Sequence, residues 1–310
     1  MSEPMLTLSS SPHVRSKDTV QTIMRDVVIA LIPAAIAGVY YFKWHALLVM
    51  ITAVLSSVLS EYLWQKWTHQ KITISDYSAV VTGLLLAFNV PPSLPLWMVV
   101  LGSIFAIIVV KQLFGGLGQN IINPALAARA VLLASWPVAM TKWTIDGVAT
   151  ATPLAMLKAG EGTLPTLSQV FLGHIGGCIG ETSALALLIG AAYLLYKKII
   201  SWEIPVFYIG TVAILTTIIG RNGFMTGNGL YEIFTGGLML GAFFMATDYT
   251  TSPMTKNGKI VFAIGCGVLA TVIRIFGGYP EGVSYSILIM NLFVPLIDKY
   301  ITPKIFGEVK

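Results

Sequence analysis

Apolar residues along this chain come in long unbroken runs separated by short polar joints, with little of the three-to-four spacing that marks a helix with one wet face. VVIALIPAAIAGVYYF at 27–42 and IVFAIGCGVLATVIRIF at 260–276 are apolar on all sides, the pattern of helices without an aqueous face. A helix crossing a bilayer needs about 20 mostly apolar residues, with about 17 as the lower limit. Allowing short or tilted spans, ten segments qualify: 27–42, 46–64, 77–90, 95–110, 122–136, 178–196, 203–220, 231–247, 260–276 and 282–298. The third and fifth are short and flanked by Pro or Gly, which in transporters marks broken helices near a site. The pattern predicts an all-α polytopic membrane protein.

Composition agrees. Of 310 residues, 55% are hydrophobic and 11% charged, whereas soluble domains carry roughly 25% charged residues. The net charge of +5 suits the basic loops that orient a polytopic protein, so no nucleic-acid partner is expected. Cys178 and Cys266 lie in apolar stretches without a CxxC or His companion and read as small buried hydrophobes. The first 26 residues are polar, so no cleavable signal peptide is expected. With a cytoplasmic N-terminus, only Lys43, Lys142, Lys158 and Arg221 fall outside, Arg129 and Arg274 fall within spans, and the rest of the 19 Lys and Arg lie inside. That bias puts both termini in the cytoplasm and the 137–177 segment outside.

The two halves resemble each other. KQLFGGLGQN (111–120) matches IRIFGGYPEG (273–282), VVTGLLLAF (80–88) matches IFTGGLMLGAF (233–243), and AGVYYFKW (37–44) echoes GAAYLLYKK (190–198). Three matches in one order point to a duplication. Five spans per half force opposite insertion, hence two inverted five-helix repeats. The expected organisation is a cytoplasmic tail (1–26), a first repeat (27–136), an extracytoplasmic loop (137–177), a second repeat (178–298) and a cytoplasmic tail (299–310).

That loop holds TIDGVATATPLAMLK at 144–158, small and hydroxyl-rich between greasy runs. Thr152 followed by Pro153 is a helix-start signal, and a simple N-cap is one reading. The other uses the same geometry: amides at a helix start also receive a phosphate. Gly147, Ala149 and Ala151 leave room for a bulky group, and Asp146 offers a carboxylate to position a metal or hydroxyl during attachment.

DGVATATPL (146–154) resembles the flavinylation motif of the membrane subunits of the Rnf and Na+-translocating NADH:quinone reductase complexes. SPHVR (11–15), NPALAAR (123–129), GHIGGCIGETS (173–183) and MATDYTTSP (245–253) extend the resemblance over nearly the whole chain. Length and short termini favour the Rnf branch, its D-subunits, over the longer quinone-reductase counterpart. The resemblance implies FMN joined by a phosphoester to Thr152, attached from FAD by a separate flavin transferase. Asp146, Gly147, Thr150, Ala151 and Pro153 are its implied surroundings. One departure is Ala149, where the family carries Ser or Thr; Thr150 is then an alternative acceptor, although its spacing from Asp146 is wrong. Further implied are the other Rnf subunits as partners, electron passage between ferredoxin and NAD, movement of Na+ or H+, and a prokaryotic cytoplasmic membrane. A second, noncovalent flavin such as riboflavin is also in view.

Charges within a membrane are costly and mark candidate sites. Asp248 closes span eight and is either an interfacial acid or a contact to a second flavin or the moving cation. Glu181 begins span six and pairs with Arg129 of span five or meets the flavin. Asn123, ahead of Pro124, is placed to satisfy backbone freed at a helix break. His174 reads as a polar loop residue, and His13 and Arg15 as a solvated tail or a partner contact. No nucleophile–base pair, metal-ligand set or nucleotide loop is evident. The rival readings are an inverted-repeat channel or secondary transporter, and a purely structural anchor; neither needs the DGVATATPL motif.

Overall fold

The computed structural model describes residues 18–145, 148–160, 164–220 and 223–302, and helices dominate it. Helical backbone occupies all ten apolar segments. The first two merge into α1 (Val20–Trp67), 48 residues long. Straight, α1 would run about 72 Å against a hydrocarbon core of about 30 Å. It is instead broken at Lys43, with φ 56° and ψ −138°. A non-glycine residue there pays roughly 1–3 kcal/mol, which packing on either side has to offset. The next elements are α2 (Ser78–Phe88), α3 (Leu96–Ile104), which continues as a π-helix over Phe105–Gln112, α4 (Pro124–Ser135) and the short α5 (Pro137–Met140).

Between the halves lie a strand pair, β1 (Thr144–Ile145) with β2 (Val148–Ala149), then α6 (Pro153–Ala159) and α7 (Leu167–Leu172). Thr144 faces Ala149 and Ile145 faces Val148 in antiparallel register. The second half holds α8 (Ala184–Tyr196), α9 (Glu203–Ile218), a second strand pair β3 (Ile219–Gly220) and β4 (Gly223–Phe224), α10 (Gly229–Phe234), α11 (Leu238–Leu240) with a π-turn over Gly241–Met245, α12 (Lys256–Phe276) and α13 (Val283–Tyr300). The two strand pairs are the β structure among the described residues.

The third and fifth segments hold helices of only 11 and 12 residues, α2 and α4, in keeping with their Pro- and Gly-flanked shortness. Sequence reading missed a further break in the eighth: Thr235 is extended and Gly236 sits at φ +67°, splitting 231–247 into α10, α11 and the π-turn. Glycine at Gly236 and Gly237 permits this, because no side chain opposes the turn or the close packing there. Segment six also starts later than 178: Cys178 to Ser183 form a 3-10 turn and the cap of α8, so Glu181 stands ahead of the helix.

Polarity is inverted relative to a soluble protein. Ile36, Leu55, Leu59, Ile214 and Leu292 are more than half exposed, while Glu61, Lys111, Arg129, Glu181 and Arg274 are buried. Exposed apolar flanks over a charged interior are what a lipid solvent selects. Among the described residues two helices, Val20–Trp67 and Lys256–Phe276, are long and apolar enough to cross a membrane. Helices approach through glycine, as expected where packing alone holds them together. A Cβ on Gly190 of α8 would lie 2.0 Å from the Ala30 carbonyl oxygen of α1, and one on Gly83 of α2 would lie 2.8 Å from that of Ala53.

Lys111, assigned from sequence to a cytoplasmic loop, is 2% exposed at the end of the π-helix. Its ammonium donates to both Glu61 oxygens at 2.9 and 2.8 Å and to Ser78 Oγ at 2.6 Å. Gln112 and Gln65 complete the carboxylate's shell at 3.0 and 3.2 Å. The last positions of a hydrophobic run thus point a lysine inward, where a glutamate from α1 meets it.

Candidate functional site

Asn123 caps α4, its Oδ1 accepting from the amides of Ala125 and Leu126 at 3.1 and 3.3 Å, with Pro124 at the first helical position where no donor is needed. Its amide nitrogen donates to the Met245 carbonyl in the π-turn at 3.4 Å, and its backbone N–H donates to Asn291 Oδ1 at 3.2 Å. Asn123 therefore satisfies free backbone amides at the start of α4, the role read from sequence, and also ties α4 to α13 and to the irregular eighth segment.

Further along α4 the buried Arg129 guanidinium gathers partners from both halves of the chain. It donates to Asn89 Oδ1 at 3.0 Å, to Ser284 Oγ at 2.8 Å and to Glu281 Oε2. Glu181 Oε1 is more distant, at 3.5 Å, and Cys178 Sγ lies at 3.7 Å. The expected Arg129–Glu181 pair is present but Glu281 is the closer acid. The thiol of Cys178 and oxygens of Glu181 and Glu281 lie within 4.8 Å of one another. A cation would fit their chemistry, but Arg129 already contacts all three and supplies the positive charge.

Thr150, Ala151 and Leu154 border this cluster. Thr152 caps α6 with its hydroxyl accepting from Ala155 N–H at 3.2 Å, and the residue is buried. The bland reading of Thr152 is thus realised in the unmodified chain. At seven residues α6 is short, so its dipole contributes little to binding an anion. Thr150 holds a buried hydroxyl with no hydrogen-bond partner, pressed against Gly176, where a Cβ would come within 2.5 Å of it. Gly176 of the GHIGGC stretch permits this approach. Leu154 and Glu281 border Gly236, and a Cβ on Gly237 would lie 2.9 Å from Glu181 Oε1. The break in segment eight therefore abuts the acids. Asp146 and Gly147 lie outside the described residues, as do His13 and Arg15. His174 keeps to a loop beside Tyr41, ring centroids 6.1 Å apart.

Thr150, Ala151 and Ala155 form one wall of a cavity of about 480 Å³, and Arg129, Glu281, Ser284, Tyr279 and Tyr285 form the others. Aromatic walls and a guanidinium suit a flat ligand with a polar edge. A flavin ring fits that description. A second, narrower cavity of about 90 Å³ is lined by Asn120, Asn123, Thr247 and Asp248, with Lys111 at one side. Asp248 Oδ2 lies 3.1 and 3.3 Å from the hydroxyls of Thr250 and Thr251, and the single Thr250 O–H is shared between Asp248 and Asn120 Oδ1, also at 3.1 Å. Burial raises the Asp248 carboxyl above its ordinary range, and those hydrogen bonds pull it partly back. Of the predicted site residues, Arg129, Thr150 and Ala151 line the larger cavity, with buried Thr152 and Pro153 next in the chain and Glu181 reached through Arg129, while Asn123 and Asp248 line the smaller.

Over residues 7–307 the chain matches the NQR2, RnfD, RnfE family. It belongs to that family. Among its relatives, the D-subunit of the Na(+)-translocating ferredoxin:NAD(+) oxidoreductase complex of Acetobacterium woodii is 54% identical, the match covering 100% of this chain and 98% of that protein. The D-subunit of the proton-translocating ferredoxin:NAD(+) oxidoreductase complex of Clostridium ljungdahlii is 50% identical over 98% of this chain and 96% of its own length. A more distant one, the D-subunit of the ion-translocating oxidoreductase complex of Halorhodospira halophila, is 35% identical over 99% and 97%. Relatives named for different ions stand at nearly equal identity, so general similarity does not set the ion.

Sequence reasoning missed Glu281, Asn89, Ser284 and the Gly236–Gly237 break. Glu281 carried a faint signal, as an acid directly ahead of an apolar run. Asn89 and Ser284 are ordinary polar residues at span ends, and only the crossing of α2, α4 and α13 brings them to one guanidinium.

Proposed function

We propose that the chain is the flavin-bearing membrane subunit of an ion-translocating ferredoxin:NAD oxidoreductase complex. In this reading it holds FMN covalently on Thr152 and passes electrons while Na+ or H+ crosses a prokaryotic cytoplasmic membrane. The observation that carries it is the cavity of about 480 Å³ walled by Thr150 and Ala151, next to Thr152 and closed by Arg129. A bound flavin supplies the redox chemistry. The chain's residues do the rest: Arg129 offers a fixed positive charge, Tyr279 and Tyr285 offer aromatic walls, and the GHIGGC loop holds the attachment segment in place.

The scaffold in this proposal is two inverted five-helix repeats, 27–136 and 178–298, with cytoplasmic tails at 1–26 and 299–310 and the 137–177 loop outside. The repeat matches and the distribution of Lys and Arg support it. Other Rnf subunits supply and receive the electrons, and a flavin transferase loads Thr152. A second, noncovalent flavin such as riboflavin is implied by the resemblance alone, since the cavity of about 90 Å³ beside Asn120, Asn123 and Asp248 is too small for a flavin ring.

The test is made on protein produced with the flavin transferase and then denatured. Flavin fluorescence in the gel band, with one FMN on the Thr152 peptide by mass spectrometry, is the expected result. Thr152→Ala abolishes it and Thr150→Ala leaves it in place. A dark wild-type band with an unmodified peptide overturns the reading and favours a transporter.

A further inference from the structure

Arg129 meets two carboxylates with one positive charge. Glu281 Oε2 accepts directly from its Nη2 and Glu181 Oε1 lies 3.5 Å from its Nη1, with side-chain exposures of 8% for the arginine, 2% for Glu181 and 12% for Glu281. The remaining oxygen, Glu281 Oε1, is buried and has no hydrogen-bond partner. Two ionised carboxylates here leave an unbalanced negative charge in a medium that solvates it poorly. Like charges sharing one site do not both ionise, so one proton restores neutrality. The charged and titratable groups around the pair are Arg129 from α4, Cys178 beside Glu181, Tyr279 and Tyr285 on the cavity side, and Arg274 of α12, whose Nη2 shares the Gly236 contact with Glu281. Asn89 from the end of α2 and Ser284 from α13 are neutral. Arg274 does not serve as the missing counter-charge, because it donates to the carbonyls of Glu232 and Thr235 at 2.9 and 3.2 Å and lies 3.8 Å from the Glu232 carboxylate.

We propose that Glu181 and Glu281 form a proton-holding pair that shares one proton at rest and takes a second when the group in the adjacent cavity gains negative charge. This redox-linked half rests on the flavin reading above; the shared resting proton does not. A flavin held there would gain one negative charge on accepting one electron from a one-electron carrier of the complex. One proton from the outer aqueous side then forms an O–H bond with the carboxylate still ionised. Arg129, released from its acid, becomes the counter-ion of the reduced ring. On reoxidation that O–H bond ionises and the proton returns to water.

Two experiments test the two halves. The first uses full-length flavin-free protein, made without the transferase, in infrared difference spectra at neutral pH. Wild type minus Glu281→Gln, and wild type minus Glu181→Gln, should each show a lost carboxylic-acid C=O band, because the surviving acid is ionised against Arg129. A band absent from wild type, or unchanged in both variants, overturns the shared proton. The second titrates the flavin's midpoint potential against pH in the loaded complex. Each single variant keeps the wild-type slope, since one ionisable acid remains, and Glu181→Gln/Glu281→Gln flattens it. A double variant that carries FMN on Thr152 and keeps the slope overturns the redox link. Absence of FMN in wild type instead defeats the flavin reading and leaves the infrared result standing.

Discussion

Replacing Lys111 with methionine isolates the energetics of the buried network at the end of the π-helix. The substitution keeps the length of the stem and removes a charge that makes three hydrogen bonds of 2.6–2.9 Å. Glu61 is then left 1% exposed, with only the amides of Gln65 and Gln112 to solvate it. Removing one partner of a buried pair costs about 3–5 kcal/mol, because the other charge stays behind without compensation. That is roughly a 150- to 5,000-fold shift of the unfolding equilibrium. Glu61→Gln strands the ammonium in the same way. Lys111→Met/Glu61→Gln leaves no stranded charge and should be more stable than the sum of the single losses predicts, by about 2–3 kcal/mol of coupling. Reversible unfolding in mixed micelles with increasing SDS, followed by tryptophan fluorescence, measures all four corners of the cycle. A loss under about 1 kcal/mol for Lys111→Met, or strict additivity in the double variant, refutes the buried pair.

Gly190→Ala puts a methyl group 2.0 Å from the Ala30 carbonyl oxygen, so α1 and α8 have to separate; a loss of about 1–3 kcal/mol or more in the same assay is expected, and near-neutrality would show the crossing to be looser. Asp248→Asn removes a carboxyl whose protonated form is favoured by burial. Since its folded-state pKa lies above the unfolded one, the native state binds more protons in that window. Stability therefore falls as pH rises from the ordinary carboxylate value through the raised one. The asparagine variant should flatten that fall in thermal unfolding of detergent-solubilised protein, and an unchanged pH profile would place the titration elsewhere.

Much of this protein was written in local pattern. Apolar runs such as 27–42 and 260–276 announce helices because a backbone in hydrocarbon has to satisfy its own hydrogen bonds, and no distant contact is needed to see it. Asn123-Pro124 and Thr152-Pro153 announced helix starts for an equally local reason, a side-chain oxygen over free amides, and both caps are formed. Motif resemblance then located the 146–154 segment as the candidate site.

Tertiary structure alone decided where the charges go. Lys111 closes an apolar run, and sequence gives it a loop, but a glutamate 50 positions away turns it inward. The acid nearest Arg129 is Glu281, 152 positions distant, and Glu181 is only its more remote companion. The break in segment eight depends on what packs against Gly236 and Gly237, namely Leu154 and the two acids. Hydrophobic length is a property of each segment by itself, so sequence determines it. The partner of a buried charge is a property of how segments cross, and that exists only once the helices have packed.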